Sequence, residues 1–317
     1  MKRFALGLAA ALALLTGSAP AQTPAPTLIP IRVNATPIDL NGPVFYAQEL
    51  GFFKNHGLDV HIALTFAGVE ATAEGMLAGS VDIGSANTAT IAEAHVRGID
   101  FRFFAPAGLF TEKAKPTEVV MVLKTSPIRT AADLNGKTVT TGSIKSMLQA
   151  AMMAWTDKHG GNSKTLQFVE IPFPQMDAAL VAHRIEAAVL TEPYATAASD
   201  ARVIGSAEDG VAPTFMTLGW YATAAWLNAH PDAAVRFIAA IREASAWGNT
   251  HHDESAAILS KYSKIPVNVA GDMGRSVYGL TLDPKLIQAP IDVTARYGFI
   301  DHSFPAADIM WFPPAQK

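Results

Sequence analysis

Lys54-Asn55-His56-Gly57-Leu58-Asp59-Val60-His61-Ile62-Ala63-Leu64 reads as a helix end running into a strand. Gly57 supplies the helix stop. Apolar side chains then alternate at Leu58, Val60, Ile62 and Leu64, the period of a half-buried strand. A short helix follows, and then Leu77-Ala78-Gly79-Ser80-Val81-Asp82-Ile83. The same order returns further along: Asp157-Lys158-His159-Gly160, a strand through Leu166, Phe168, Val169 and Ile171, a short helix, and Val181-Ala182-His183-Arg184-Ile185-Glu186-Ala187. The stretch Gly51–Ser85 is answered by Trp155–Val189 in spacing more than in identity. A chain that builds one β–α–β–α–β unit twice is expected to form two similar α/β lobes around a cleft. Ligands of such open sheets sit beyond the carboxyl ends of the strands.

The N-terminus predicts export. Lys2 and Arg3 precede an apolar run from Phe4 to Leu15, and Ser18-Ala19-Pro20-Ala21 follows with small residues at the cleavage positions. Residues 1–21 are expected to be a signal peptide cleaved after Ala21; the apolar run is too short to span a bilayer. The 317 residues contain no cysteine, which removes disulfides, thiol nucleophiles, thiolate metal sites and a lipidated cysteine anchor. A free exported protein of this kind points to a periplasm. The net charge of −4 is mild and dispersed, so no nucleic-acid partner is expected. The remaining length suits two domains.

Strands are expected at Ile31–Ala35, Leu58–Leu64, Val81–Gly84 and Asp100–Ala107, with helices at Val44–Asn55, Val69–Leu77 and Ala89–Arg97. Lys137–Thr141 then opens a second lobe, followed by a helix from Gly142-Ser143 to about Lys158. Glu118–Lys124 and Thr214–Ala224 are both strand-like and read as the two crossings between lobes. Lobe one is then 28–118 plus 221–317, lobe two is 119–220, and a two-strand hinge lets them close. Pro231–Tyr262 has helical spacing throughout.

Four strand-to-helix turns face the expected cleft: Asn41-Gly42-Pro43, Ser85-Ala86-Asn87-Thr88, Thr140-Thr141-Gly142-Ser143 and Thr191-Glu192-Pro193. Helix N-termini offer unpaired N–H groups, which suits an anion; ordinary capping uses the same residues. The Glu192 carboxylate suits an ammonium or a ring N–H. Phe45, Tyr46, Phe110, Phe173, Tyr194, Phe215, Trp220 and Tyr221 are the aromatics near the cleft. Phe45, Phe110, Tyr194 and Trp220, beside turns or crossings, are the expected pocket liners. His251-His252-Asp253-Glu254 lacks a third histidine at helical spacing and reads as a solvated helix end, so neither metal nor cofactor is expected.

Several motifs in order resemble one family. Ala47-Gln48-Glu49-Leu50-Gly51-Phe52-Phe53 running into Gly57-Leu58-Asp59-Val60, Leu77-Ala78-Gly79-Ser80-Val81-Asp82-Ile83-Gly84, Asp133-Leu134-Asn135-Gly136-Lys137-Thr138-Val139, Glu192-Pro193 and the proline-led helix pair within Ala224–Ser260 carry the likeness. They resemble the periplasmic solute-binding proteins of ABC importers for nitrate, sulfonates, taurine and thiamine-pyrimidine precursors. The resemblance implies a two-lobed Venus-flytrap fold, each lobe an open α/β sheet. It also implies ligand contact at Asn41–Phe45, Ser85–Thr88, Thr141–Ser143 and Glu192. Enzymes of that family rely on cysteines, which this chain lacks.

The expected function is therefore non-enzymatic. A small organic solute, aminated, aromatic or of sulfonate or carboxylate type, is bound between the lobes of a monomer and handed to an ABC permease in the inner membrane. The alternatives are an exported hydrolase or desulfinase-like enzyme using the same cleft, and a ligand-sensing adaptor without transport. The proposed turns contain no arginine, which argues against a strongly anionic ligand such as nitrate, while Glu192 and the aromatics favour an aminated or aromatic one with one acidic group facing a helix N-terminus.

Overall fold

A computed structural model describes residues 27–66 and 69–314; the expected signal peptide, with its expected cleavage after Ala21, lies outside the described residues. The strands in chain order are β1 (Ile29–Ala35), β2 (Leu58–Leu64), β3 (Ile83–Ala86), β4 (Phe101–Pro106), β5 (Gly108–Thr111), β6 (Glu118–Leu123), β7 (Thr138–Thr140), β8 (Gln167–Val169), β9 (Ala187–Thr191), β10 (Ala201–Ser206), β11 (Thr214–Met216), β12 (Gly219–Thr223) and β13 (Val277–Tyr278). They form two five-stranded sheets, β2-β1-β3-β12-β4 and β8-β7-β9-β6-β10. The first three strands of each run parallel and the last two pair antiparallel. The repeat read from the spacing is thus a repeat of topology.

The strands at the middle of the sheets, β3 and β12 in the first and β9 and β6 in the second, are buried on both faces, as strands covered by helices are. All five residues of β9 are buried, and five of six in β6. On one face of the first sheet the helix Pro231–Gly248 presents Ala233, Ala234, Phe237, Ala240, Ile241 and Ala244, recurring at three and four, against Val33, Phe53 and Trp220. Its last residue must be small. A Cβ on Gly248 would lie 2.8 Å from Tyr46 and 2.9 Å from Tyr278. The tail closes the edge of β4, where Trp311 N–H donates to Phe103 O at 2.8 Å.

The differences from the predicted elements are local. The helix expected at Val44–Asn55 breaks at Gly51, whose φ of +77° a glycine tolerates, into Gly42–Glu49 and Phe52–Asn55. The helix expected from Gly142-Ser143 begins only at Met147, because Ser146 is its cap and accepts from Gln149 N at 3.2 Å. Residues 141–146 form a loop. Glu118–Leu123 is an interior strand of the second sheet. The paired crossing strands are β5 and β11, and β13 joins them in a separate three-stranded sheet. Thr214–Ala224 divides between that sheet and the first one.

Candidate functional site

A cavity of about 410 Å³ lies at the facing carboxyl ends of the two parallel triplets. From the first sheet it takes Thr36 and Ile38 after β1, Phe66 after β2, and Ser85, Ala86 and Asn87 at the end of β3. From the second it takes the loop Thr141-Gly142-Ser143, Ser146 and Met147 after β7, and Glu170, Pro172 and Phe173 after β8. Phe215 of β11, and Thr217 and Leu218 between β11 and β12, line it with Glu118 and Glu208. This is the position that open α/β sheets reserve for ligands.

Six of the residues expected at the site line this cavity: Asn41, Ser85, Asn87, Thr141, Gly142 and Ser143. Asn41 is fully buried; its Nδ2 donates to Thr36 O at 3.0 Å, while Oδ1 has no partner among the described residues. Asn87 caps the helix Thr88–Val96, accepting from Thr90 N at 3.1 Å, and also accepts from Met147 N at 3.3 Å across the cavity. Thr141 Oγ1 donates to Ser143 O at 3.3 Å, which shapes the loop.

The other six lie elsewhere, for physical reasons. Phe45 is fully buried on the opposite side of its helix, stacked on Tyr262 with centroids 4.4 Å apart. Thr88 is the first residue of its helix and is buried behind Asn87. Trp220 packs edge-on to Phe237 in the first core, and Phe110 sits behind Phe215. Tyr194 lies outside the lining, its ring against Phe66 and Phe173, which do line the cavity. In each case strand or helix alternation turns the side chain away from the cleft edge.

Glu192 is placed outside this lining. Its oxygens accept from Thr196 N and Thr196 Oγ1, both at 3.0 Å, and from Gly274 N at 3.2 Å. Burial raises its pKa against these bonds. The carboxylate is a strut between the turn after β9 and the segment before β13, outside the cavity lining.

Sequence reasoning missed two buried acids on the cavity wall. Glu118 and Glu208 are buried, 3% and 2% exposed, and both line the cavity. Glu208 Oε1 accepts from Thr217 Oγ1 at 2.7 Å. Glu118 Oε2 is buried with no partner among the described residues. Burial, then the neighbouring Glu208, pushes the Glu118 carboxyl well above its ordinary range. Burial pushes Glu208 up to about 7, against the hydrogen bonds to it from Glu118 and Thr217. Two carboxylates cannot donate to each other; one retained proton turns their contact into a hydrogen bond. A signal for Glu118 existed, since it opens an otherwise apolar strand, Glu118-Val119-Val120-Met121-Val122-Leu123. Glu208, in Ala207-Glu208-Asp209-Gly210, has the composition of a surface turn.

The third acid on the wall, Glu170, accepts from Ile144 N at 3.0 Å. Among the described residues the lining contains no lysine, arginine or histidine. No group of three or more metal-ligating side chains occurs among the described residues. His251 instead stacks on Trp247.

The fold is shared widely. The periplasmic aliphatic sulphonate-binding protein SsuA of Escherichia coli superposes with a TM-score of 0.71 at 19% identity, over 91% of this chain and 94% of that one. The alkanesulfonate-binding protein SsuA of Xanthomonas axonopodis pv. citri, solved with MOPS, gives 0.75 at 18% identity, over 90% and 99%. The periplasmic nitrate-binding protein NrtA of Synechocystis gives 0.74 at 16%, over 89% and 85%. These similarities establish the two-lobed periplasmic binding protein fold. Among curated protein sequences none matches this chain. The NMT1/THI5-like family profile matches residues 41–255, more than half of the sequence, and with the paired sheets and the cavity between them it assigns this chain to the NMT1/THI5-like family.

Proposed function

We propose that this chain is the periplasmic solute-binding component of an ABC importer, exported by the leader 1–21. It binds one small organic solute between lobe one (28–118 plus 221–317) and lobe two (119–220), as a monomer, and hands it to the inner-membrane permease. The observation that carries the reading is the position of the cavity, at the facing carboxyl ends of two identically ordered sheets. The fold neighbours that bind sulfonates and nitrate support the transport role. Closure about the β5–β11 pair fits a ligand-gated change of shape.

Thermal-shift screening followed by calorimetry tests this. A true solute raises the melting temperature by mass action, binds one to one, and is recovered chemically unchanged. Loss of the solute's uptake on deletion of the coding sequence tests delivery. Paired buried carboxyls also suit acid–base hydrolysis, so appearance of a product on long incubation replaces the binding reading with the hydrolase one.

A further inference from the structure

We propose that the cavity selects a compact organic cation, an ammonium or amidinium, whose N–H groups meet the Glu118–Glu208 pair on one side and Asn41 Oδ1 on the other. The proposal rests on the solute-binding reading and names the ligand class of the same site.

Three observations converge on it. The first is unmet acceptor capacity. Glu118 Oε2 and Asn41 Oδ1 are both buried, both belong to residues on the wall, and apart from the proton that Glu118 shares with Glu208 neither meets a donor among the described residues. Asn41 has already committed its donor to Thr36 O, which leaves its oxygen to accept from something else. Buried acceptors of this kind are costly unless a donor arrives. The second is the sign of the charge. Glu118, Glu170 and Glu208 line the space and no lysine, arginine or histidine does so among the described residues. A sulfonate, nitrate or carboxylate would enter against acids with no counter-charge. The third is shape. Phe173, Phe215, Phe66 and Leu218 form apolar walls beside the acids, which suits a flat organic body carrying its charge at one end.

The pair is also built to exchange a proton for the cation. Empty, it holds a proton because burial and mutual repulsion disfavour two charges. A cation beside the pair removes that penalty, so binding expels a proton and affinity rises with pH, the rise beginning as Glu208 ionises at about 7 and continuing because Glu118 is raised well above its ordinary range. The surrounding groups do not alter the sign. Across β9, Glu118 faces uncharged Thr191, and from the β11–β12 turn Thr217 donates to Glu208. Glu170 adds negative charge from the opposite wall. On the outer side Asp209 is paired with Lys158 at 3.9 Å and His159 at 3.3 Å. Lys145 and Arg97 line a neighbouring cavity beyond Asn87.

The test uses three probes of one shape: benzamidinium, benzamide and benzenesulfonate. They are titrated calorimetrically into the full mature chain at pH 6, 7 and 8, in buffers of different ionisation enthalpy. Benzamidinium is expected to bind at least tenfold more tightly than benzamide, to release up to one proton near pH 7, and to tighten from pH 6 to 8; benzenesulfonate is expected not to bind. Glu118→Gln should weaken benzamidinium by about ten- to a hundredfold. Glu208→Gln is the second variant should Glu118→Gln fail to fold, and the melting curve of each shows which folds. Benzenesulfonate or benzamide binding as tightly as benzamidinium overturns the cation class while leaving the solute-binding reading intact. No heat with benzamidinium, or an undiminished affinity in a folded Glu118→Gln variant, also overturns it. Conversion of a probe to product would instead end the solute-binding reading.

Discussion

Asn87 Oδ1 accepts a hydrogen bond from Met147 N at 3.3 Å, joining the end of a first-sheet strand to the first turn of a second-sheet helix. The same oxygen accepts from Thr90 N and Thr90 Oγ1. One side chain therefore caps a helix and holds two walls of the cavity together. Asn87→Ala is expected to cost about 1 kcal/mol of stability from the lost cap. It should also enlarge the radius of gyration of the ligand-free protein. Urea unfolding reads the first and small-angle scattering the second; an unchanged scattering profile would show that the walls are held by other contacts.

Glu192→Ala should be a stability variant. It leaves Gly274 N and Thr196 N without their acceptor, and a buried unsatisfied donor costs about 1–3 kcal/mol. Affinity for the solute should stay within about twofold wherever the variant is folded. A shift of the urea midpoint with unaltered calorimetric affinity is the expected pair of results. A large affinity loss at native-like stability would return Glu192 to the site.

The acid pair gives the ligand-free protein a distinctive pH dependence. Glu208 has its folded pKa raised to about 7 from an ordinary 4.5. Between these values the unfolded chain has lost the proton and the folded chain keeps it. The Glu208 contribution to stability therefore falls as pH rises through that window, and Glu118, raised well above its ordinary range, extends the fall upward. At 1.36 kcal/mol per unit the fall is on the order of 3 kcal/mol. Other carboxylates act in the opposite direction, among them Asp157, whose bonds from Ser163 and Tyr297 outweigh burial and lower its pKa. The measurement is thus the difference between wild type and Glu208→Gln across pH 4 to 8. A pH-independent difference would mean that Glu208 is ionised throughout.

Asp39 and Arg275 form a buried pair at 3.1 Å, and Asp39 also accepts from Tyr278 Oη at 2.9 Å and Ser276 N at 2.6 Å. This network fixes the turn that carries Asn41. Arg275→Met should cost about 3–5 kcal/mol by leaving the Asp39 charge uncompensated. Adding Asp39→Asn should recover part of that loss, which a double-mutant cycle in urea would detect.

Gly142 has φ +91°, and a Cβ there would meet the Phe173 ring at 3.5 Å, an ordinary contact. The expected cost of Gly142→Ala, about 1–2 kcal/mol, is backbone strain and not a clash. Proteolysis between 141 and 146 should speed up in this variant, because the strained loop opens more often.

The sequence alone carried the architecture. Its period-two strands, glycine stops and repeated spacing decide which segments are strand and which helix, and those signals are local, set within a few residues of backbone and side-chain preference. The two parallel triplets, and the turns of Asn41, Ser85, Asn87 and Thr141–Ser143 at their ends, follow from that pattern. Tertiary packing alone decided which chemistry faces the cavity. Phe45 and Trp220 have the same composition and turn-side placement as Phe173 and Phe215, yet the first two fill the core and the last two line the site. Glu192 is held by Thr196, four residues on, and by Gly274 N, while Glu118 lies on the cavity wall in a strand paired with β9, and the bond to Gly274 and the β9 pairing span dozens of residues. The raised carboxyls of Glu118 and Glu208 exist only when two segments ninety positions apart are buried together. Burial and proximity are properties of the assembled fold, and no local pattern encodes them.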